Sequence, residues 1–481
     1  MLRYYEKTLI PFLLALTLLL FSCNTSTNSG GSNFVAEDSP VAEQTENQAE
    51  QPEQPGTESH PENAAAVLDS FYTQTGDSQE ALAALEEAGI DSMDDESRLV
   101  YAVLLRDQGR LDESRKELQS LVDKDSGNAE AWYNLALLEY AAGNDEARDT
   151  ALDSAVSADK TMADAYAFRG NLALGESDWD KAEVNLKKAL EIKSDSVESL
   201  TGLAWVMAKT ERLDGALPLL DKAVEIDPEF VYARVDRSRV NVALRNYNDA
   251  EKDLSFAISR EPDVQWHYLD RARIRLRYFQ DYEGALEDLN NVERLDPDNF
   301  FAMVYLAGLH DDLRHFKLAE KYYQRVVDLR SDYIWAYMPL GKFAWMEGRF
   351  EEASMWFLKA ASEDSEDFRF SLMAGLALLR SGNSIEADKI FSETLRRFDR
   401  GESAYEVVRF CAERNSDYYA VNALNKEQNE ALGERLWFYL GAIYEYEKNE
   451  IGAVAVYTRI ADLKGEMEYD LAWAALNGMD G

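Results

Sequence analysis

The stretch Trp437-Phe438-Tyr439-Leu440-Gly441-Ala442-Ile443-Tyr444, followed by Ala453 and Tyr457, decides the fold. Large apolar residues fall at helical spacing, and the small residues at the eighth and twentieth places let two paired helices approach closely. The ring at the twenty-fourth place, Tyr457, fills the space beside them. The same frame recurs about every 34 residues back towards the N-terminus. Each such unit is a helix pair that buries its apolar face only against its neighbours, so the recurrence predicts one continuous helical stack.

This pattern resembles the tetratricopeptide repeat (TPR), W-x2-L-G-x2-Y…A-x3-F, with tyrosine in the final aromatic place. The resemblance implies an all-α fold, a TPR-type right-handed α-solenoid of about twelve helix pairs. Repeats are expected over residues 62–433, with 402–433 degenerate because the turn glycine and small-residue pattern are missing, and the last strong unit over 434–467. Residues 468–481 read as a solvating cap helix and tail. Unit 129–162 reads as one residue short between Gly143 and Ala147, and unit 265–299 carries one extra residue. Pro228, Pro262 and Pro297 close second helices, where a residue without an N–H helps stop the helix. Pro218 and Pro339 fall early in predicted helices and imply a local kink at most.

The N-terminus carries an address. Arg3 and Lys7 precede an apolar run from Leu9 to Phe21, short for a membrane span but suited to a secretory signal. It ends Leu20-Phe21-Ser22-Cys23, which resembles a bacterial lipoprotein signal. The resemblance implies a signal peptide over 1–22 and lipidation of Cys23, with Phe21 departing from the usual small residue. Residues 23–61 are polar, rich in Ser, Thr, Asn, Gln, Glu and Pro, and read as a disordered tether. A coil of that length holds the repeats roughly 30–40 Å from the membrane. The chain's second cysteine, Cys411, reads as a small buried hydrophobe.

A formal net charge of −40 repels nucleic acid and anionic headgroups, which leaves the covalent lipid as the route to a membrane. The four histidines are His60, His267, His310 and His315. In His310-Asp311-Asp312…His315 the five-residue spacing puts the imidazoles on diverging helix faces, which argues against a metal. No phosphate loop, G-x-S-x-G or H-E-x-x-H motif is present. The expectation is therefore a non-enzyme without cofactor or metal.

In TPR proteins the ligand lies against inward places two, five, nine and twelve or thirteen of the first helix. Here those places collect Trp205, Arg239, Trp266, Arg273, Arg277, Phe301, Trp335, Lys342 and Trp345. Aromatics and arginines supply rigid apolar area and forked donors, the residue types that anchor interfaces. The chaperone-carboxylate clamp, Lys at five with Asn at nine, is absent, since Asn171 is paired with Ala167. The expected function is a membrane-anchored periplasmic scaffold binding extended peptide or protein segments in envelope protein assembly. The alternatives are a small-molecule or glycan binder using the aromatic groove, or a non-catalytic subunit of an envelope enzyme complex. The periplasmic face of the outer membrane is the expected location, with the outer face of the cytoplasmic membrane as the alternative. Oligomeric state is left open by the sequence.

Overall fold

The computed structural model describes residues 78–89, 93–460 and 466–479; the expected leader, Cys23, the tether and the first helix of unit 62–94 lie outside them. Among the described residues there are twenty-four α-helices and no strand. They fall into two compact units, 78–262 and 263–479.

In the first unit, α1 (Ser78–Ala88) is followed by the pairs α2 (Asp95–Asp107) and α3 (Leu111–Lys124), α4 (Ala129–Ala141) and α5 (Asp145–Ala158), α6 (Ala163–Gly175) and α7 (Trp179–Ile192). Then come α8 (Val197–Lys209) and α9 (Leu213–Ile226), and α10 (Val231–Ala243) and α11 (Tyr247–Arg260). The second unit opens with α12 (Gln265–Ile274) and α13 (Tyr282–Leu295), α14 (Phe300–Asp312) and α15 (Phe316–Leu329), α16 (Tyr337–Met346) and α17 (Phe350–Glu363). It continues with α18 (Phe368–Arg380) and α19 (Ser384–Leu395), α20 (Ser403–Glu413) and α21 (Tyr418–Leu424), α22 (Glu430–Tyr446) and α23 (Glu450–Tyr457), and ends on α24 (Met467–Met479). Within each unit successive helices pack on one another, as expected of stacked pairs.

The eighth and twenty-fourth places explain the close pairing. Gly170 faces Leu186, Gly341 faces Phe357, Gly375 faces Phe391 and Gly441 faces Tyr457, each so near that a methyl group on the glycine would collide with the partner side chain. Leu186, Phe357 and Phe391 are fully buried. At every one of the eleven turns between first and second helices a residue adopts the left-handed conformation. Gly109, Gly143, Gly348 and Gly382 do so without strain, whereas Ser177, Glu211, Arg245, Gln280, Arg314, Arg414 and Lys448 do so against a steric cost. At nine of these turns the next amide bonds back five residues, as from Arg212 to the Met207 carbonyl at 2.8 Å, and satisfies a helix-end acceptor; after Gln280 the Asp281 amide reaches six back, to Arg275.

Several expectations change. Unit 129–162 is full length: α4 and α5 are joined by the usual three-residue turn, and Arg148, not Ala147, holds the twentieth place. Arg148 is buried there and pairs with Asp145 at 2.6 Å and Asp149 at 2.9 Å. The extra residue of 265–299 is absorbed as a π-helical turn, Arg275–Phe279, closed by left-handed Gln280. Pro218 sits inside an unbroken α9. At Pro339 the entry is a 3-10 turn, Ile334–Ala336, because proline supplies no N–H for an α-turn. The degenerate pair is real but short, and α22 begins at Glu430, before residue 434, capped by Asn429 accepting from the Leu432 amide.

The final helix is no solvating cap. Met467, Glu468, Leu471 and Ala472 are all buried, and α24 packs against α16 as well as α22 and α23. Cys411 is fully buried, and burial pushes its thiol up to about 12, so it behaves as an inert apolar group. No described helix is long and apolar enough to cross a membrane.

Candidate functional site

In the first unit, α8 and α10 are the first helices of neighbouring repeats, and they bring Trp205, Lys209, Asp236 and Arg239 together. Trp205 and Lys209 are four apart on α8, one helical turn, so the ammonium lies over the indole at 4.8 Å. Arg239 stands exposed on α10 and pairs with Asp236 at 2.9 Å. Burial lowers the Lys209 pKa, and the neighbouring Arg239 charge lowers it further. Burial raises the Asp236 pKa, against the opposing pull of Arg239. Two cations, one carboxylate and a half-buried ring thus form a locally positive patch on a strongly acidic chain.

The flanking arginines serve the fold instead. Arg237 grips Asp253 through two bonds at 2.7 and 2.8 Å, and Arg234 approaches the same carboxylate at 3.5 Å. One repeat on, Arg271 grips Asp288 at 2.6 and 3.0 Å, with Arg275 adding a bond at 3.0 Å. Both carboxylates are buried, so each holds a first helix to its second by a desolvated, forked ion pair.

The remaining predicted residues lie in the second unit. Trp266 is 39% exposed, Arg277 is exposed beside the Tyr278 ring, and Arg273 bonds Asp270 at 3.3 Å. Phe301 is half-buried with its ring edge-on to Phe300 at 5.7 Å, and Trp335 is half-buried in the 3-10 turn.

Lys342 and Trp345 are corrections. Neither lines an open groove: Lys342 is wholly buried and Trp345 nearly so. The Lys342 ammonium bonds Asp311 at 2.6 Å and Asp470 of α24 at 3.0 Å, so the last helix covers it. Trp345 packs edge-on against Phe350 at 5.3 Å, with the Arg380 guanidinium 5.3 Å from its ring.

The histidine expectation also changes. Helix α14 ends at Asp312, Arg314 turns left-handed, and His315 swings back so that its Nδ1 lies 3.3 Å from Nδ1 of His310. The faces do not diverge, because no single helix spans both residues. Among the described residues no three or more His, Cys, Asp or Glu side chains converge as a metal-ligand group.

Sequence reasoning missed Lys209, although it holds the thirteenth place of unit 197–230 and follows Trp205 by one helical turn. It also missed that Arg314, Lys342 and Arg369 meet α24 and the residue before it, because those partners lie many residues further along the chain.

Residues 173–229, 99–163 and 271–334 match family models of the tetratricopeptide repeat. The chain is a tetratricopeptide repeat protein. It is similar to serine/threonine-protein phosphatase T of Aspergillus oryzae, 27% identical over 145 residues, which is 30% of this chain and 29% of the relative. It is also similar to Superkiller complex protein 3 of Homo sapiens, 23% identical over 242 residues, 48% of this chain and 15% of the relative. This TPR chain therefore spans less than a third of the length of either of these curated relatives. Among solved structures it is similar to a tetratricopeptide repeat protein from Parabacteroides merdae, with a TM-score of 0.36 and 16% identity over 52% of this chain and 97% of that one.

Proposed function

We propose that this TPR scaffold binds an extended, partly acidic segment of a protein partner along the α8–α10 face, and that it works in envelope protein assembly from a lipid anchor at Cys23. One observation carries the binding reading: Lys209 and Arg239 converge beside Trp205 in a chain whose net charge is −40. Arg239 disfavours the Lys209 charge more than Asp236 favours it, and a ligand carboxylate laid beside the two cations offsets that repulsion. The ring supplies apolar area to the same ligand.

The anchor reading rests on Leu20-Phe21-Ser22-Cys23 and the polar tether after it. Two or more acyl chains hold a protein stably on a membrane where one is marginal. Replacing Cys23 with Ala should move the protein from the detergent-extracted membrane fraction to a soluble or uncleaved form; unchanged partitioning and migration contradict the anchor.

The binding reading is tested by affinity capture from envelope and cell-wall fractions with the parent chain and with Arg239→Glu. A protein partner retained by the parent and lost by the variant, with unchanged helicity, supports it. Retention of glycan without protein contradicts it and favours a glycan-binding face.

A further inference from the structure

Helix α24 presents its carboxylates, rather than an apolar stripe alone, to the interior. Glu468 is fully buried, accepts a bond from the Tyr439 hydroxyl at 2.7 Å and lies 3.9 Å from Arg369. Asp470 meets Lys342 at 3.0 Å and Arg314 at 3.3 Å. Glu466, just ahead of the helix, meets Arg435 at 2.9 Å and Arg369 at 3.6 Å. Trp473 lies beneath the Arg314 guanidinium at 4.1 Å, with the Tyr469 ring 5.6 Å from the same group. The four cations come from four successive or nearby repeats: Arg314 follows α14, Lys342 lies on α16, Arg369 on α18 and Arg435 on α22.

A helix that merely ends a stack buries apolar residues on the last pair and turns its charges to water. Here three carboxylates and a ring are read by cations brought together from across the unit, which is how a receptor reads a ligand. We infer that the face formed by Lys342, Arg369 and Arg435 of three first helices and by Arg314 of the turn after α14 is a binding site for an acidic, aromatic helical segment. Its present occupant is the chain's own α24, and a partner segment of the same chemistry displaces it. The inference shares no residue with the Trp205 face, so either reading can fail alone.

Two features make exchange feasible. The interface is incompletely paired: Asp311 Oδ2, Glu468 Oε2 and Arg435 Nε are buried without a hydrogen-bond partner among protein atoms. A buried charge with unmet bonding capacity weakens the contact that buries it. Two of the four cations also keep a partner when α24 leaves, since Lys342 holds Asp311 and Arg369 holds Asp367, each at 2.6 Å. Trp473 remains 42% exposed, which places it at the rim, where release can begin.

The test uses the full chain and a fluorescent peptide of residues 466–479. The double variant Asp470→Lys/Trp473→Ala loosens α24, and Trp473→Ala alone is the milder opening should the double variant lose its fold. The peptide is expected to bind an opened, fully helical chain at least tenfold more tightly than the parent chain. A peptide carrying Asp470→Lys should not bind, and Arg314→Glu in the opened chain should abolish binding of the normal peptide. Equal affinity for parent and opened chains, or no binding to an opened chain that keeps its circular dichroism, overturns the inference. Dimerisation of the parent chain by exchange of α24, with free peptide excluded, overturns it in favour of a second copy as occupant.

Discussion

Lys342 and Asp470, 128 residues apart in sequence, meet at 3.0 Å around a wholly buried ammonium that also holds Asp311. The contact fastens the last helix to a first helix in the middle of its unit. Removing Asp470 leaves Lys342 one carboxylate, so Asp470→Ala is expected to destabilise the fold by about 2 kcal/mol. Lys342→Met strands the buried Asp311 and leaves the half-buried Asp470 only Arg314, and is expected to cost more, about 3–5 kcal/mol. Urea unfolding of the three proteins checks the order; a Lys342→Met chain as stable as the parent contradicts the pairing.

The glycines at the eighth place are space holders for the ring or leucine at the twenty-fourth. A Cβ on Gly375 would stand 2.4 Å from the Phe391 ring, too close for a rigid, buried partner to yield. Gly375→Ala is therefore expected to destabilise by about 1–3 kcal/mol. Adding Phe391→Leu, which shortens the partner, should recover part of that loss; strict additivity in a double-mutant cycle contradicts the contact.

Left-handed turns occupied by ordinary residues hold recoverable strain. Glu211 has φ 61°, so Glu211→Gly is expected to stabilise by up to about 1 kcal/mol, less the entropy glycine adds to the unfolded chain. Gly109, at φ 74°, is the mirror case, and Gly109→Ala should cost about 1 kcal/mol. The two thermal midpoints should move in opposite directions.

His310 is buried, stacked on Tyr322 with ring centres 5.5 Å apart, and set against His315. Burial, then the His315 charge, lowers its pKa from the usual 6.5, with Glu293 opposing. Between the lowered folded value and 6.5 the unfolded chain binds more protons. Stability from this group is therefore fully present above pH 6.5 and lost as pH falls below it. The urea midpoint of the parent should drop from pH 7.5 to pH 5.5 by more than that of His310→Gln; equal drops contradict the assignment.

Much of the fold was legible because its determinants are local and periodic. Gly341 with Phe357, Gly170 with Leu186, and Gly441 with Tyr457 each declare a helix pair within one repeat. The turn glycine was a weaker guide, since Arg414 and Lys448 adopt the same conformation without being glycine. Unit 129–162 read as shortened because Arg148 stands where a small residue is usual, its charge met by Asp145 and Asp149. The site was less legible. Places two, nine and thirteen located Trp205 and Arg239, but the same rule named Lys342, whose burial depends on Asp470 far along the chain. Arg271 and Arg273 are two apart, yet one is spent on Asp288 and the other is left to Asp270, a division set by the partner helix.

Site-specific photo-crosslinking in the cells that make the protein tests the central claim, that partners lie along the first-helix face of the α8–α10 repeats. The crosslinker is placed at Trp205 and, separately, at Val184, a 68% exposed residue on the second helix α7. The account predicts a discrete protein adduct from position 205 that disappears when Arg239→Glu is added, and none from position 184. Adducts from position 184 alone, or adducts at 205 indifferent to Arg239→Glu, would contradict it.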